Sequence, residues 1–369
     1  MIDDWSKLLP RPEIRFPEDI LRGRIDGQRV LITGAGGSIG RSLATALSAW
    51  NPDQLVCLDS HEASLVHLRQ QLGRRPGSLD VRYVLADVRD REKLDQIFRR
   101  FAVDVVFHLA AYKQVPLAED NIDQVIGVNL IGTLNIIETA VEHRIAGLIY
   151  PSTDKAVHPP SIYGMTKRVA ERLLLAVGQE VERPAIRVIR LVNVFGTQGS
   201  VVELFARQIA GGQPLTITDP RMDRYWMTMH EAVQLLLGAA VQPTCPGVYL
   251  LEVGNPVLMT DTARLVHTLL RPGHGDPMLK VIGVRPGERL HEELAYPSER
   301  FEPTILPGLR RLASPASTSD GDFWLREIGS LREAYYRQEP VHLRSWLLEH
   351  AVEEPVSIDS HIAGPGNSR

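Results

Sequence analysis

Residues 30–47, VLITGAGGSIGRSLATAL, pass from an apolar β-strand through a glycine-rich turn into an amphipathic helix. Glycines in such a turn let the backbone approach a pyrophosphate closely, and the helix N-terminus stabilises the phosphate charge. This context predicts a dinucleotide site, with an ordinary strand-to-helix turn as the alternative. The residues that would contact the cofactor here are Gly34, Gly37, Ser38, Ile39 and Gly40.

Short β-branched runs alternate with amphipathic helical stretches over residues 27–190. Six segments predict strands: RVLIT, QLVCLD, VRYVLAD, VDVVFHLA, AGLIYPS and AIRVIRLV. Continuous apolar strands of this length are typical of a parallel sheet that helices cover on both faces. The helices are expected near residues 38–50, 91–101, 125–143 and 163–177. The fold class is therefore α/β, a Rossmann-type doubly wound parallel sheet, with the NAD-binding domain over residues 27–190.

The pattern changes after residue 190, where shorter elements predict a smaller mixed α/β lobe over residues 191–295 that would hold the substrate. Its expected helices lie near residues 201–210, 230–240 and 261–270, and its strands are PLTIT, GVYLLEV and LKVIGV. Residues 1–26 form an N-terminal extension. Residues 296–369 form a C-terminal extension in which DFWLREIGSLREAYY predicts a helix and SHIAGPGNSR a disordered tail.

The composition, with 44% hydrophobic and 23% charged residues, is that of a globular protein. The net charge of -4 and the absence of Lys/Arg blocks argue against nucleic acid as a partner. No stretch approaches the roughly 20 apolar residues of a membrane helix, so we expect no membrane insertion and a cytoplasmic location. Cys57, Cys245 and twelve scattered His residues give neither a disulfide framework nor metal-ligand spacing.

Three further positions extend the predicted dinucleotide site. Asp59 ends the second strand, where an acid binds the adenosine ribose hydroxyls and repels a 2'-phosphate, which favours NAD over NADP. Asp87 and Val88 follow the third strand and are placed to meet the adenine. Helix capping is the alternative both for Asp59 and for this pair. Ala110 lies among the small residues that close the fourth strand, where the cofactor would cross the sheet edge.

Tyr163 and Lys167 lie four residues apart and hence on one helix face. The charge of Lys167 would lower the pKa of the Tyr163 phenol, and Lys167 would also reach the nicotinamide ribose. Such a phenol can take the proton from a sugar hydroxyl as hydride leaves for the cofactor. Solvated helix residues are the alternative.

A second ionisable pair follows the fifth strand in the segment PSTDK, where parallel sheets place reactive groups beside a ligand. Thr153, Asp154 and Lys155 would then meet the same substrate as Tyr163. The pair could supply a base and an acid if burial tuned each pKa toward neutrality. A sugar oxidised at C4 acquires an acidic C5 proton, so these groups could remove water across C5 and C6. An exposed ion pair is the alternative.

Taken together, TGAGGSIG, STDKAV, YGMTKRVAE, GSVVELFARQIAGGQPLTITDPRMDRYWMT, EAVQLLL and VRPGERLHEEL resemble a known family. It is that of the inverting UDP-N-acetylglucosamine 4,6-dehydratases, CapD-like polysaccharide-biosynthesis proteins within the extended short-chain dehydrogenase/reductases. The resemblance runs from about residue 27 to residue 294. It implies an NAD-dependent lyase that oxidises C4 of a UDP-linked sugar, eliminates water and returns hydride to C6. It also implies a homo-oligomer.

The resemblance assigns roles to particular residues. It makes Lys155 the base at C5 and Asp154 the acid for the C6 hydroxyl. The implied catalytic residues are Thr153, Asp154, Lys155, Tyr163 and Lys167. The implied nucleotide-sugar contacts are Lys113, Asn193, Gln198, Arg285 and Glu288.

Four positions depart from the family pattern, and they are expected around the substrate. Gln114 replaces His, His158 replaces Asn, Val192 replaces Gly, and Gln198 replaces Arg. Two other functions remain as alternatives. A nucleotide-sugar 4-epimerase would need Tyr163 but gives the Asp154 and Lys155 pair no role. A non-catalytic sensor of NAD or a nucleotide-sugar could use the same fold.

Overall fold

The computed structural model of the chain describes residues 4–73, 79–243, 245–313, 321–337 and 340–351. A nine-stranded sheet forms its centre, and short strand pairs lie beside it. In chain order the strands are β1 (Arg29–Thr33), β2 (Gln54–Asp59), β3 (Asp80–Leu85), β4 (Val105–His108), β5 (Gly147–Thr153), β6 (Ala185–Leu191), β7 (Asn193–Val194), β8 (Leu215–Ile217), β9 (Asp223–Arg224), β10 (Trp226–Met227), β11 (Gly247–Leu251), β12 (Val257–Leu258), β13 (Leu279–Val281), β14 (Arg300–Pro303) and β15 (Leu309–Ala313).

The strand order of the large sheet is β14-β15-β11-β6-β5-β4-β1-β2-β3. The seven strands from β11 to β3 run parallel, and β15 and β14 complete the sheet in antiparallel pairing. The chain order reverses between β1 and β4, so a crevice opens there at the carboxyl ends of the strands. The predicted doubly wound sheet and its six strands are confirmed.

Helices cover both faces of this sheet. They are α1 (Glu18–Arg22), α2 (Ser38–Leu47), α3 (Glu62–Leu72), α4 (Arg91–Phe101), α5 (Val115–Asp120), α6 (Ile122–Ile126), α7 (Gly132–Glu142), α8 (Ile162–Glu180), α9 (Val201–Ala210), α10 (Met229–Ala240), α11 (Met259–Leu270), α12 (Gly321–Tyr336) and α13 (Pro340–Ala351). A π-helical segment, Gly127–Ile131, joins α6 to α7, and 3₁₀ turns span Trp5–Leu8 and Asp154–Ala156.

The smaller lobe has its own apolar core around α9 and α11, and its strands form the pairs β7–β10, β8–β13 and β9–β12. Two predicted members of the lobe lie elsewhere. Helix α10 packs against α2, β5 and β6 on one face of the large sheet. The strand Gly247–Leu251 pairs with β6 and becomes the seventh parallel strand of the large sheet. The reason is that GVYLL is buried at every position, which suits an interior strand rather than an edge of the lobe.

One helical run, Ile122–Glu142, is long and apolar enough to cross a membrane by length and composition. This corrects the expectation that no stretch of the chain approaches such a length. Within the fold, 78% of its most apolar window is buried, as in a core helix. The C-terminal prediction of a helix over DFWLREIGSLREAYY is confirmed by α12, whereas SHIAGPGNSR lies outside the described residues.

Candidate active site

The glycine-rich turn brings the end of β1 against the chain that follows β4. Gly34 has a φ of +64°, and a Cβ there would lie 2.7 Å from the backbone nitrogen of Ala110. A Cβ on Gly40 would lie 2.3 Å from the carbonyl oxygen of Gly34. The first residue of α2 is Ser38, and its N-cap Gly37 offers no side chain to the free N–H groups. The turn therefore has the close packing and the open helix N-terminus that a phosphate requires.

Asp59 lies at the end of β2 and faces this turn. Its Oδ2 accepts a hydrogen bond of 2.9 Å from the Gly36 N–H, and its Oδ1 accepts one from the His61 N–H. The N-cap of α3 is His61, whose Nδ1 accepts from the Ser64 N–H. The alternative that Asp59 caps this helix is therefore wrong.

Asp87 and Val88 follow β3, but neither caps α4, whose N-cap is Asp90. The Asp87 carboxylate is paired with the Arg89 guanidinium at 2.7 Å. The Val88 side chain is buried against Gly132 of α7, and the Val88 carbonyl oxygen accepts a hydrogen bond from Asn135 Nδ2. The capping alternative is wrong here as well, and contact with an adenine stays a prediction.

Tyr163 and Lys167 lie in the first turns of α8, which Ser161 caps by accepting a hydrogen bond from the Gly164 N–H. Lys167 Nζ donates to the carbonyl oxygen of Pro151 at 2.8 Å and lies over the ring of Tyr150. Burial lowers the pKa of Lys167 to about 7. Both side chains are buried, which excludes the alternative of solvated helix residues.

The neighbours that shift the pKa of the Tyr163 phenol differ from those that the sequence predicted. Burial raises the pKa of Tyr163, while the charge of Lys155 and a hydrogen bond with Thr153 oppose this rise. Lys167 is not the cation that opposes the rise, because it is directed to Pro151 and Tyr150. The expected charge effect on Tyr163 therefore comes from Lys155.

Thr153, Asp154 and Lys155 stand at the carboxyl end of β5 and in the following 3₁₀ turn. The Asp154 carboxylate has no exposed side-chain surface. Its Oδ1 accepts hydrogen bonds from Thr153 Oγ1 at 2.8 Å and from Lys155 Nζ at 3.1 Å. The alternative of an exposed ion pair is therefore wrong.

A second carboxylate that the sequence reasoning missed completes this cluster. Glu292 Oε1 lies 2.8 Å from Lys155 Nζ and 3.1 Å from Arg224 Nε, and its side chain is 6% exposed. Asn193 Nδ2 donates to Glu292 Oε2 at 2.7 Å, and Asn193 Oδ1 accepts from Lys155 Nζ at 3.3 Å. The sequence feature that could have pointed to Glu292 is the pair of adjacent glutamates in RLHEEL.

The ionisation of the cluster differs from the predicted tuning toward neutrality. Burial would lower the pKa of Lys155, but Asp154 and Glu292 together raise it. Burial would raise the pKa of Asp154, but the charge of Lys155 and hydrogen bonds lower it. Burial and the negative charge of Asp154 raise the pKa of Glu292 to about 7. The carboxyl whose pKa lies near neutrality is therefore that of Glu292. It shares the Lys155 cation with Asp154, which is the stronger of the two acids.

These groups line one cavity of about 460 Å³ between the large sheet and the smaller lobe. Tyr163, Asp154, Lys155 and Glu292 form part of its wall. Of the predicted nucleotide-sugar contacts, the cavity wall includes Lys113, Asn193, Arg285 and Glu288.

Gln198 is the exception among those contacts. Its side chain is exposed and is not part of the cavity wall, while its backbone N–H donates to Ser38 Oγ. Its neighbours on either side, Thr197 and Gly199, do line the cavity. Contact of Gln198 with the substrate therefore stays a prediction.

The other departures from the family pattern have distinct surroundings. Val192 is buried and lines the cavity, and Gln114 lies beside Gly199 in the same wall. His158 has a φ of +42°, and its Nδ1 lies 2.9 Å from Glu293 Oε2. Asn and His are both enriched in this left-handed region, which accounts for the exchange of one for the other.

Comparison with known proteins identifies several relatives. The chain is 34% identical to the capsular polysaccharide biosynthesis protein CapD of Staphylococcus aureus over 79% of its own length and 49% of CapD. It is 33% identical to an inverting UDP-N-acetylglucosamine 4,6-dehydratase of Campylobacter jejuni, over 82% of the chain and 89% of that enzyme. A UDP-glucose 4-epimerase of Rickettsia akari is 32% identical, over 63% of the chain and 67% of the epimerase. The chain spans about half the length of CapD.

Solved structures share the fold. Pen from Bacillus thuringiensis superposes with a TM-score of 0.71 at 26% identity, covering 80% of this chain and 89% of Pen. DesIV, a dTDP-glucose 4,6-dehydratase from Streptomyces venezuelae, gives a TM-score of 0.64 at 21% identity, over 85% and 99% of the two chains. These superpositions confirm the Rossmann-type fold. The family model described as polysaccharide biosynthesis protein matches residues 30–313, and the chain therefore belongs to that family, as its sequence motifs indicated.

Proposed function

We propose that the protein is an NAD-dependent nucleotide-sugar 4,6-dehydratase acting on UDP-N-acetylglucosamine or a related UDP-hexose. The observation that carries this proposal is that Asp154 and Lys155 share one cavity wall with Tyr163. A C4 oxidation alone needs only the tyrosine, whereas loss of water also needs a base and an acid near C5 and C6. The similarity to the Campylobacter dehydratase supports the same chemistry.

The turn after β1 fits a dinucleotide. Side chains at Gly34 and Gly40 would collide with backbone atoms, and the N-terminus of α2 is free of a side-chain cap. Asp59, held beside Gly36, would bind the adenosine ribose and disfavour a 2'-phosphate. Bound NAD would supply an acceptor for the C4 hydride and a donor for its return to C6. A titration in which NADP binds more tightly than NAD would contradict this role of Asp59.

Tyr163 is proposed to take the proton of the C4 hydroxyl, with Thr153 hydrogen-bonded to the phenol. Lys155 is then the base for the C5 proton and Asp154 the acid for the C6 hydroxyl. Their ion pair holds the proton on Lys155, so this proton has to pass to Asp154 before either group can act.

The cavity is also suited to a diphosphate. Besides Lys155, five cationic side chains contribute to its wall: Lys113, Arg207, Arg224, Arg285 and Arg289. Guanidinium groups bind phosphate oxygens in bidentate geometry, which favours a nucleotide-sugar over an uncharged sugar. We assign the pyrophosphate to this cationic part of the wall.

The test is the mass of the product. Purified protein is incubated with UDP-N-acetylglucosamine, UDP-glucose and the corresponding GDP- and dTDP-sugars, and each product is analysed by mass spectrometry. We expect loss of one water from a UDP-sugar, without accumulation of reduced cofactor because hydride returns to the product.

A 4-epimerase is the second candidate, favoured by the similarity to the Rickettsia enzyme. It would return hydride to C4 and leave the mass unchanged. A product isomeric with the substrate would therefore replace the dehydratase assignment by the epimerase.

A further inference from the structure

Glu292 joins the predicted acid and base in one buried cluster. The loop before β14 carries it to the carboxyl end of β5, where it contacts Lys155 at 2.8 Å. Lys155 therefore lies between two carboxylates, since its Nζ also donates to Asp154 Oδ1 at 3.1 Å. While both carboxylates are ionised, the Lys155 proton is held by two negative charges and is poorly placed to leave.

The groups around Glu292 come from three further elements. The 3₁₀ turn after β5 contributes Asp154 and Lys155, β7 contributes the amide of Asn193, and β9 with the next residue contributes Arg224 and Tyr225. Asp154 is the carboxyl that faces Glu292, and Asp154 Oδ2 is buried without a hydrogen-bond donor among the described residues.

We propose that Glu292 is the positioning residue that releases the Lys155 proton: when Glu292 is protonated, Lys155 has a single carboxylate partner and can pass its proton to Asp154. This inference rests on the proposed dehydratase function. The transfer creates the neutral amine and the carboxylic acid in one step, within the contact of Lys155 and Asp154.

The elimination of water then balances. The Lys155 amine takes the C5 proton, and the C5–H electron pair forms the C5–C6 double bond. The C6–O bond breaks with its electrons on oxygen, which receives the Asp154 proton and leaves as water. Lys155 is again an ammonium and Asp154 a carboxylate, as before the transfer, while Glu292 keeps its proton throughout.

The expected pH dependence follows because the protein is active only while Glu292 is protonated. Burial and Asp154 raise the pKa of Glu292 to about 7, so its neutral form is abundant below that pH and is lost above it. The rate of C5 proton exchange should therefore fall as pH rises through about 7, approaching a tenfold loss per pH unit. The affinity for the sugar nucleotide should not show this dependence on pH.

The experiment measures C5 hydrogen exchange with UDP-N-acetylglucosamine in deuterated buffer across pH, by mass spectrometry, in three proteins. Wild type should show the decline above neutrality. Glu292→Gln mimics the protonated carboxyl and should lose this decline. Glu293→Gln is the matched control, because Glu293 is half exposed and pairs with His158, so it should keep the wild-type pH profile. Unchanged thermal unfolding of each variant verifies the fold.

An independent measurement needs no turnover. Carbon-13 NMR of protein labelled on glutamate carboxyls should show one resonance that titrates near neutral pH in wild type and is missing in Glu292→Gln. A Glu292→Gln variant that keeps the wild-type pH decline, or one that is folded yet loses about 100-fold or more at every pH, the scale of a lost acid or base, would overturn the proposal. Absence of a glutamate resonance that titrates near neutral pH would also overturn the proposal, whether or not a dehydrated product forms. Failure of wild type to release water, with the resonance present, would instead contradict the proposed function alone.

Discussion

Lys155 and Tyr163 reach one cavity from different elements and are expected to act on different atoms of the sugar. Tyr163 stands in the first turn of α8, and Lys155 in the 3₁₀ turn after β5. In the proposed reaction the phenol would serve the C4 hydroxyl, whereas the amine would serve a C5 proton that becomes acidic only after C4 is oxidised. Substitutions at the two positions should therefore stop the reaction at different steps.

Tyr163→Phe should slow hydride transfer itself, so rapid mixing should reveal little transient NADH. Lys155→Met should permit C4 oxidation and block water loss, because a positioned general base contributes roughly 10²- to 10⁴-fold. Its signature is a burst of bound NADH and 4-keto sugar with suppressed C5 exchange. Wild-type C5 exchange in Lys155→Met would remove the role of base from this residue.

Among the non-glycine residues near the site, His158 has a backbone conformation that restricts substitution. Its φ of +42° suits Asn, Asp and His but strains a β-branched side chain. We expect His158→Asn to retain the stability of the wild type and His158→Val to lose about 1–3 kcal/mol in urea unfolding. His158→Ala separates this strain from the loss of the contact with Glu293. Equal stability of the Val and Ala variants would show that the backbone strain is unimportant.

The sequence predicted residues whose signal is local. The glycine-rich turn and the ends of β1 and β5 lie in short motifs, so Gly34, Asp154 and Tyr163 could be proposed from their spacing and their place next to predicted strands. Glu292 could not, because it reaches Lys155 through a loop far along the chain and resembles a surface glutamate in sequence. The pKa directions were equally hidden, since they depend on which carboxylates share a cation after folding.

At the scale of elements, a buried ion network joins β6, α8 and the turn that leads into β14. Arg190 Nη1 donates to Glu299 Oε2 at 2.6 Å, and Arg190 Nη2 donates to Glu171 Oε2 at 2.9 Å. Glu299 also accepts from the Tyr296 N–H, and the Tyr296 hydroxyl donates to the carbonyl oxygen of Ala156. The network thus extends to the 3₁₀ turn that carries Asp154 and Lys155.

Arg190→Met should destabilise the protein strongly, because two carboxylates would lose a guanidinium that is 1% exposed. Removing one partner of a buried charge pair costs about 3–5 kcal/mol. Urea unfolding measures this loss. The control is Arg264→Met, whose pair with Asp261 is exposed and is expected to contribute less than about 1 kcal/mol. Similar losses in the two variants would mean that the buried network adds nothing to stability.

At the scale of the whole molecule, the described parts of both extensions pack against the rest of the fold. In the N-terminal extension the Arg11 guanidinium pairs with Glu231 of α10, and Trp5 stacks against Phe195 of the smaller lobe. In the C-terminal extension, Leu343 and Leu347 of α13 are fully buried in the core that includes α6 and α8. Sequence periodicity could not predict these contacts, because each apolar stripe is short and its partner is distant.

Leu347→Ala should cost about 2–5 kcal/mol, because it removes a fully buried side chain from this core. The neighbouring Leu348, which is 46% exposed, provides the matched control, and Leu348→Ala should change the free energy of unfolding only slightly. Chemical denaturation of both variants checks the difference. A Leu347→Ala protein as stable as Leu348→Ala would show that α13 contributes little to the stability of the core.

The position of β11, β15 and β14 beyond β6 has a consequence for synthesis of the chain. A nascent polypeptide that has not yet reached residue 247 carries β1–β6 but leaves the hydrogen-bonding groups along one side of β6 without a partner strand. Such an apolar edge can pair with other chains until its own sequence arrives. We therefore expect pairing with β11 to protect the edge of β6 from aggregation, and premature termination between β6 and β11 should yield a product that depends on chaperones.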